Sequence, residues 1–153
     1  MALAIGDILP AGELVLADGT PLSLHHRLGK PLVVYFYPKA DTTGCTREAQ
    51  DFSALADDFA QAGASVVGIS RDAPAKLARF AGKHALTVTL ASDADGAVCE
   101  AFGVWGEKQM YGRTYMGIER ATFLFDGAGR LVREWRKVKV AGHAADVLAA
   151  VRS

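Results

Sequence analysis

Residues 32–37, Leu-Val-Val-Tyr-Phe-Tyr, form an unbroken apolar run that Pro38 ends. Six residues are too few for a buried helix, and β-branched and aromatic side chains fit a strand, so the run predicts a strand covered on both faces. Proline cannot donate to a strand ladder, which suits the end of the element. Strands buried on both sides occur where helices cross over a largely parallel sheet. The chain supplies such helices. From 43 to 61 the spacing turns helical, with Phe52, Leu55, Ala56 and Phe59 recurring on one side, Glu48, Asp51, Asp57 and Asp58 on polar faces, and Gly63 closing the segment. Val-Val-Gly-Ile-Ser at 66–70 reads as a second strand. Pro74 opens a helix through Leu77, Phe80 and Ala81, 88–90 offers a third strand, and Val98, Ala101 and Phe102 mark a short helix.

After residue 121 the pattern becomes antiparallel: Ala-Thr-Phe-Leu-Phe-Asp and Leu-Val-Arg-Glu-Trp flank a glycine-rich turn, and residues 144–151 finish as a helix. Asp18-Gly19 marks another hairpin near the N-terminus. Together these predict an α/β chain with a mixed central sheet flanked by helices and an N-terminal hairpin extension. Thioredoxin-like topology fits best, and flavodoxin-like topology is the alternative. With 153 residues, half of them hydrophobic, residues 1–153 suffice for a single domain whose core needs no disulfides. The glycine-punctuated stretch 102–112 reads as a loop, where Trp105 and Tyr111 either line a pocket or pack structurally. Arg133, Arg136, Lys137 and Lys139 read as a solvated strand face.

Charge excludes several functions. The 17 basic and 17 acidic side chains cancel, which argues against broad capture of nucleic acid. No run approaches the roughly 18–20 apolar residues of a membrane helix, and the start has no basic leader. Two cysteines and four scattered histidines give neither a disulfide framework nor a zinc cluster, and a reducing cytoplasm is the expected compartment.

Cys45 stands where the chain passes from strand to helix, beside Gly44. A helix's first turn leaves amide N–H groups without internal partners, and these favour an anion, so a thiol there releases its proton more readily than the ordinary value of about 8.5. Taken alone, Cys45 could equally be an inert buried thiol. Thr42, three residues earlier, can cap the helix or turn its hydroxyl toward the sulfur or a bound substrate. Glu48, one turn later, disfavours a thiolate unless a cation intervenes. Arg47 is the local cation. Arg120, just before the 121–126 strand, can return to the same end of the predicted sheet.

The string Tyr-Phe-Tyr-Pro-Lys-Ala-Asp-Thr-Thr-Gly-Cys-Thr-Arg-Glu-Ala-Gln-Asp-Phe at 35–52 resembles the active-site segment of peroxiredoxins, in particular the bacterioferritin comigratory protein or peroxiredoxin Q branch. Pro38, Thr42 and Cys45 satisfy the family spacing. Residues 102–108 and 112–130 extend the likeness over almost the whole chain. The resemblance implies a thiol peroxidase that reduces hydrogen peroxide and organic hydroperoxides, with Cys45 as the peroxidatic nucleophile. Thr42 would bond to sulfur or peroxide, and Arg120 would stabilise the thiolate and the developing charge. Pro38 would shield the pocket, Glu48 would orient Arg120, and the N–H groups of Gly44 and Cys45 would complete the cradle. A monomer that needs no metal, flavin, haem or other cofactor, reduced by thioredoxin, glutaredoxin or a low-molecular-weight thiol, is implied.

Two positions depart from the pattern. Thr43 replaces a proline found in many relatives, and Gln50 stands where a resolving cysteine commonly lies. The helix from Pro74 has no cysteine either. Recycling of the Cys45 sulfenic acid then runs through an external thiol, through Cys99 within the chain, or through a second subunit. Two other functions remain open on the same residues: a thiol-disulfide oxidoreductase, which normally wants a second cysteine near the first, and a redox-switched binding or chaperone protein.

Overall fold

The computed structural model describes residues 3–153. Its main sheet has seven strands: β1 (Glu13–Leu16), β2 (Pro21–Ser23), β3 (Leu32–Phe36), β4 (Ser65–Ser70), β5 (Thr89–Ser92), β8 (Ala121–Phe125) and β9 (Leu131–Trp135). They lie in the order β2-β1-β5-β4-β3-β8-β9. β3, β4 and β5 run parallel, while β8 is antiparallel to β3 and β1 to β5. The sheet is therefore mixed, as expected of the thioredoxin-like class, and β1–β2 is the N-terminal hairpin.

All five residues of β3 are buried. Alternation along the strand divides the core: Leu32, Val34 and Phe36 join one cluster, whereas Val33 and Tyr35 join another on the opposite face. On the first face Phe102 packs against Phe36, Phe123 and Phe125, with ring centroids 4.9–6.0 Å apart. On the second, Tyr35 stacks on Phe52 at 4.5 Å, and Phe52 meets Phe59 at 5.8 Å. Each such side chain contributes roughly 1.5–3 kcal/mol by leaving water. Tyr35 lies across its β4 neighbour Gly68, where any Cβ would sit 2.5 Å from the phenol ring. Glycine is required there.

Four helices link or close the parallel strands: α1 (Thr43–Ala54), α2 (Ala56–Gln61), α3 (Pro74–Lys83) and α4 (Ala97–Ala101). The single helix expected over 43–61 is broken at Leu55, whose ψ of 9° leaves the helical range. Phe52 and Phe59 stay buried in one cluster on either side of the break. A larger correction concerns residues 105–118. They form a separate two-stranded arm, β6 (Trp105–Met110) and β7 (Arg113–Ile118), whose first strand falls within the stretch 102–112 expected as a loop. Tyr111 and Gly112 make its turn with φ of 53° and 76°, the pair of positive values that a tight hairpin demands. The supposed strand face also ends early. Arg136 lies beyond β9, pairs with Glu119 at 2.9 Å and stands over the ring of Phe123.

Helix α5 (His143–Arg152) closes the chain against α1 and α2. Its first residue is buried: His143 Nε2 lies 2.8 Å from Thr122 Oγ1, and Phe52 and Trp135 meet the imidazole edge-on. Burial pushes its pKa down to about 4, against the opposing pull of Asp146. The unfolded chain therefore takes up this proton first. Between about pH 6.5 and pH 4 the fold should lose stability as pH falls, by at most about 3 kcal/mol from this group. In His143→Gln, melting temperatures followed over the same range should fall less steeply than in the parent; parallel curves would remove His143 as the source.

Candidate active site

The parallel strands deliver the chain to one end of the sheet, and the loop after β3 is fixed there by backbone and carboxylates. Tyr37 N donates to Ile69 O at 3.1 Å, and Ala40 N donates to Asp72 Oδ2 at 2.7 Å. Asp72 also accepts from Ser70 Oγ at 2.8 Å and pairs with Lys76 at 3.2 Å. Next, Asp41 adopts φ of 65°, a left-handed conformation that aspartate tolerates better than most residues. Its two oxygens are held by Lys83 Nζ at 2.9 Å and His84 Nε2 at 2.8 Å. The loop is thus tied to both ends of α3.

Thr42 occupies the cap position of α1 with extended backbone, and the helical ladder begins with Thr46 N donating to Thr42 O. Cys45, the third residue of α1, is 1% exposed. Arg120 reaches it from the other side. Because Phe36 pairs with Ala121 in the β3–β8 ladder, the residue before β8 arrives where β3 ends. Seventy-five positions of chain separate two groups that the register brings together.

The guanidinium divides its fork. Arg120 Nη2 donates to Cys45 Sγ at 3.3 Å, and Nη1 donates to Glu48 Oε1 at 2.7 Å. Glu48, one turn after Cys45, is 1% exposed, and burial pushes its pKa up to about 7, against Arg120 and with Asp51. Burial also works against the charge of Arg120, but Glu48 and Cys45 outweigh it and hold the guanidinium above its ordinary value. Gly44 leaves room for this arrangement: a Cβ there would stand 3.3 Å from Arg120 Nη2.

The other expected residues fall into place unevenly. Pro38 and Thr42 line a groove of about 630 Å³ with Lys39, Arg71, Trp105 and Lys108. The Thr42 hydroxyl neither caps α1 nor reaches the sulfur; it donates to Lys39 O at 2.7 Å. Arg47 is exposed and borders a different, polar depression with Gln50 and His84. Tyr111 is 96% exposed at the tip of the arm, so of the two aromatics weighed for the pocket only Trp105 borders it. Cys99 is fully buried in α4 among the cluster containing Phe36, on the face of β3 opposite Cys45. Burial first, and the Asp93 carboxylate second, push its thiol pKa far up. Asp41 and Asp72 escaped the sequence reading, since carboxylates in polar turns look like solvated ones.

A sequence model of the AhpC/TSA family matches residues 5–134. Peroxiredoxin Bcp of Xanthomonas campestris is 49% identical over 140 residues, which cover 92% of this chain and 88% of the relative. Peroxiredoxin Bcp of Escherichia coli is 46% identical over 141 residues, covering 92% and 90%. Among solved structures, a cysteine-to-serine mutant of Xylella fastidiosa PrxQ superimposes with a TM-score of 0.94 at 40% identity, over 99% of this chain and 97% of that one. The Xanthomonas campestris bacterioferritin comigratory protein, solved as a trapped intermediate and ligand complex for its alkyl peroxide reduction activity, gives 0.88 at 46% identity, over 95% and 98%.

Gly44→Ala tests the fork directly. The added methyl should displace Nη2 and slow oxidation of Cys45 by hydrogen peroxide about tenfold, the worth of one hydrogen bond to a charged group, while raising helix stability by up to about 1 kcal/mol. Unchanged oxidation kinetics would show that this arm of Arg120 does not matter.

Proposed function

This chain belongs to the AhpC/TSA family, within its Bcp and peroxiredoxin Q branch, and on that premise we propose that Cys45 is the peroxidatic nucleophile of its thiol-dependent peroxidase activity. The observation that carries this reading is the 3.3 Å contact from Arg120 Nη2 to Cys45 Sγ. A fixed cation at the sulfur favours the thiolate and the charge that develops as the peroxide bond breaks, so it acts more strongly on the transition state than on neutral peroxide.

The thiolate attacks one oxygen of hydrogen peroxide or of an organic hydroperoxide. The O–O bond breaks, sulfur becomes sulfenic acid, and the leaving oxygen takes a proton to become water or alcohol. Thr42 has committed its hydroxyl hydrogen to Lys39 O. Its oxygen is therefore free to accept from the peroxide O–H and to aim the substrate at sulfur. N–H groups of Gly44 and Cys45 precede the first intrahelical bond and complete the cradle, Pro38 shields it, and Glu48 orients Arg120. Since Cys45, Glu48 and Arg120 come from one chain, a monomer suffices, and we read residues 1–153 as one domain.

For recycling we favour an external thiol: thioredoxin, glutaredoxin or a low-molecular-weight thiol. A disulfide requires the sulfurs at about 2 Å, whereas Cys45 and Cys99 belong to clusters on opposite faces of β3. Gln50 and α3 offer no thiol. A chain with two cysteines and no disulfide framework suits the reducing cytoplasm, which we take as its compartment.

Cys45→Ser should abolish peroxide turnover with the fold intact, while Cys99→Ser should turn over at the parental rate with an external thiol. After substoichiometric peroxide, a non-reducing peptide map should find Cys45 as sulfenic acid; a Cys45–Cys99 linkage would overturn the external route.

A further inference from the structure

Three groups that carry charge meet in the Cys45 site with little water: the thiol, the Glu48 carboxyl and the Arg120 guanidinium. Were both acids ionised, one cation would face two buried anions. Glu48 would suffer most, because its Oε2 is buried without a hydrogen-bond partner, and a bare buried carboxylate oxygen is costly. A single proton shared between the acids makes the site neutral. It can sit on sulfur, leaving Glu48 paired with Arg120, or on Glu48, leaving the thiolate paired with Arg120.

We propose that Cys45 and Glu48 share one proton across Arg120, so that the state holding the reactive thiolate also holds Glu48 protonated, and that Glu48 gives this proton up when the sulfur is oxidised. The inference rests on Cys45 being the peroxidatic thiol. In the step, thiolate, Glu48 carboxylic acid and hydroperoxide become sulfenic acid, Glu48 carboxylate and alcohol, or water when the substrate is hydrogen peroxide. Sulfur loses two electrons to the O–O bond, and the leaving oxygen gains a proton as Glu48 loses one. Net charge is unchanged. Once sulfur is neutral, Arg120 has Glu48 as its remaining counter-ion at the site, which is why the carboxyl ionises at that moment and not before. Glu48 acts here through Arg120, as a proton reservoir that keeps the buried site neutral before attack.

The surroundings allow this exchange. Along α1, Asp51 adds negative charge that favours the protonated form of Glu48. From β3, Tyr35 feels both Glu48 and Cys45, as does Tyr37 just beyond the strand; burial raises both phenols well above neutrality, so they stay uncharged. From α5, His143 feels Arg120 but remains neutral above about pH 4. Neither the phenols nor His143 competes near neutrality, where Glu48 itself changes, at about 7.

Proton stoichiometry tests the idea in the parent protein. Slightly below pH 7, in weak buffer with a pH indicator, reduced protein is mixed with one equivalent of hydrogen peroxide while thiolate absorbance is followed. The thiolate signal should vanish as sulfenic acid forms, with no net proton uptake. Glu48→Gln should instead take up one proton for each thiolate lost. Infrared spectra of the parent should also lose a protonated carboxyl band on oxidation, a readout that needs no variant. Uptake of one proton per thiolate by the parent, or no such band, would overturn the proposal while leaving the peroxidase reading intact. Absence of any oxidation of Cys45, whether to sulfenic acid or to a disulfide formed from it, would sink both.

Discussion

One guanidinium serving two buried acids is the interaction on which the site depends. Arg120 cannot be drawn to Cys45 by local sequence, since no helix or turn spans the distance between them. The β3–β8 register does it: with Phe36 opposite Ala121, the chain entering β8 must pass the end of β3 where the loop to Cys45 departs. Nearly every buried aromatic on β3 and β8 works to hold that register, because a one-residue slip would turn the inward set of each strand to the wrong face. Core packing and electrostatics are therefore one problem in this molecule. A change that loosened Phe36 against Phe102 and Phe123 would be felt as a misplaced cation.

The same alternation separates the two thiols. β3 sends its even-numbered residues toward the cluster containing Cys99 and its odd-numbered residues toward the cluster containing Cys45. In the folded arrangement the two thiols therefore lie in separate clusters, with the sheet between them. Cys99 sits with its backbone N–H donating to Asp93 at 2.7 Å, and neighbouring Val98 N donates to the same carboxylate at 3.2 Å. That pairing explains how the short α4 starts. It also surrounds the thiol with burial and negative charge, both of which suppress nucleophilicity.

Sequence made the central elements readable where one physical demand dominated. The 32–37 run could be a strand because every side chain had to be buried, and Cys45 could be placed at a helix start because Pro38 and Gly44 bracket the turn. Legibility failed where partners are backbone atoms or distant charges. The Thr42 hydroxyl goes to Lys39 O, a choice set by turn geometry that residue identity does not encode. Likewise Asp41 looks like a solvated turn residue until α3 brings Lys83 and His84 beside it. The β6–β7 arm was obscured by Gly106 and Gly117, which dilute the strand pattern, although Tyr111-Gly112 between alternating residues was the available hairpin signal.

Those loop carboxylates fix the turn that leads into Cys45, a residue 1% exposed. Exposed ion pairs are individually weak, and the Asp41 contacts with Lys83 and His84 are exposed ones, with the Asp41 side chain 39% exposed. They bias the loop toward the observed conformation against the backbone strain of the left-handed Asp41, and α3, which carries Lys83, is the post to which the turn is tied.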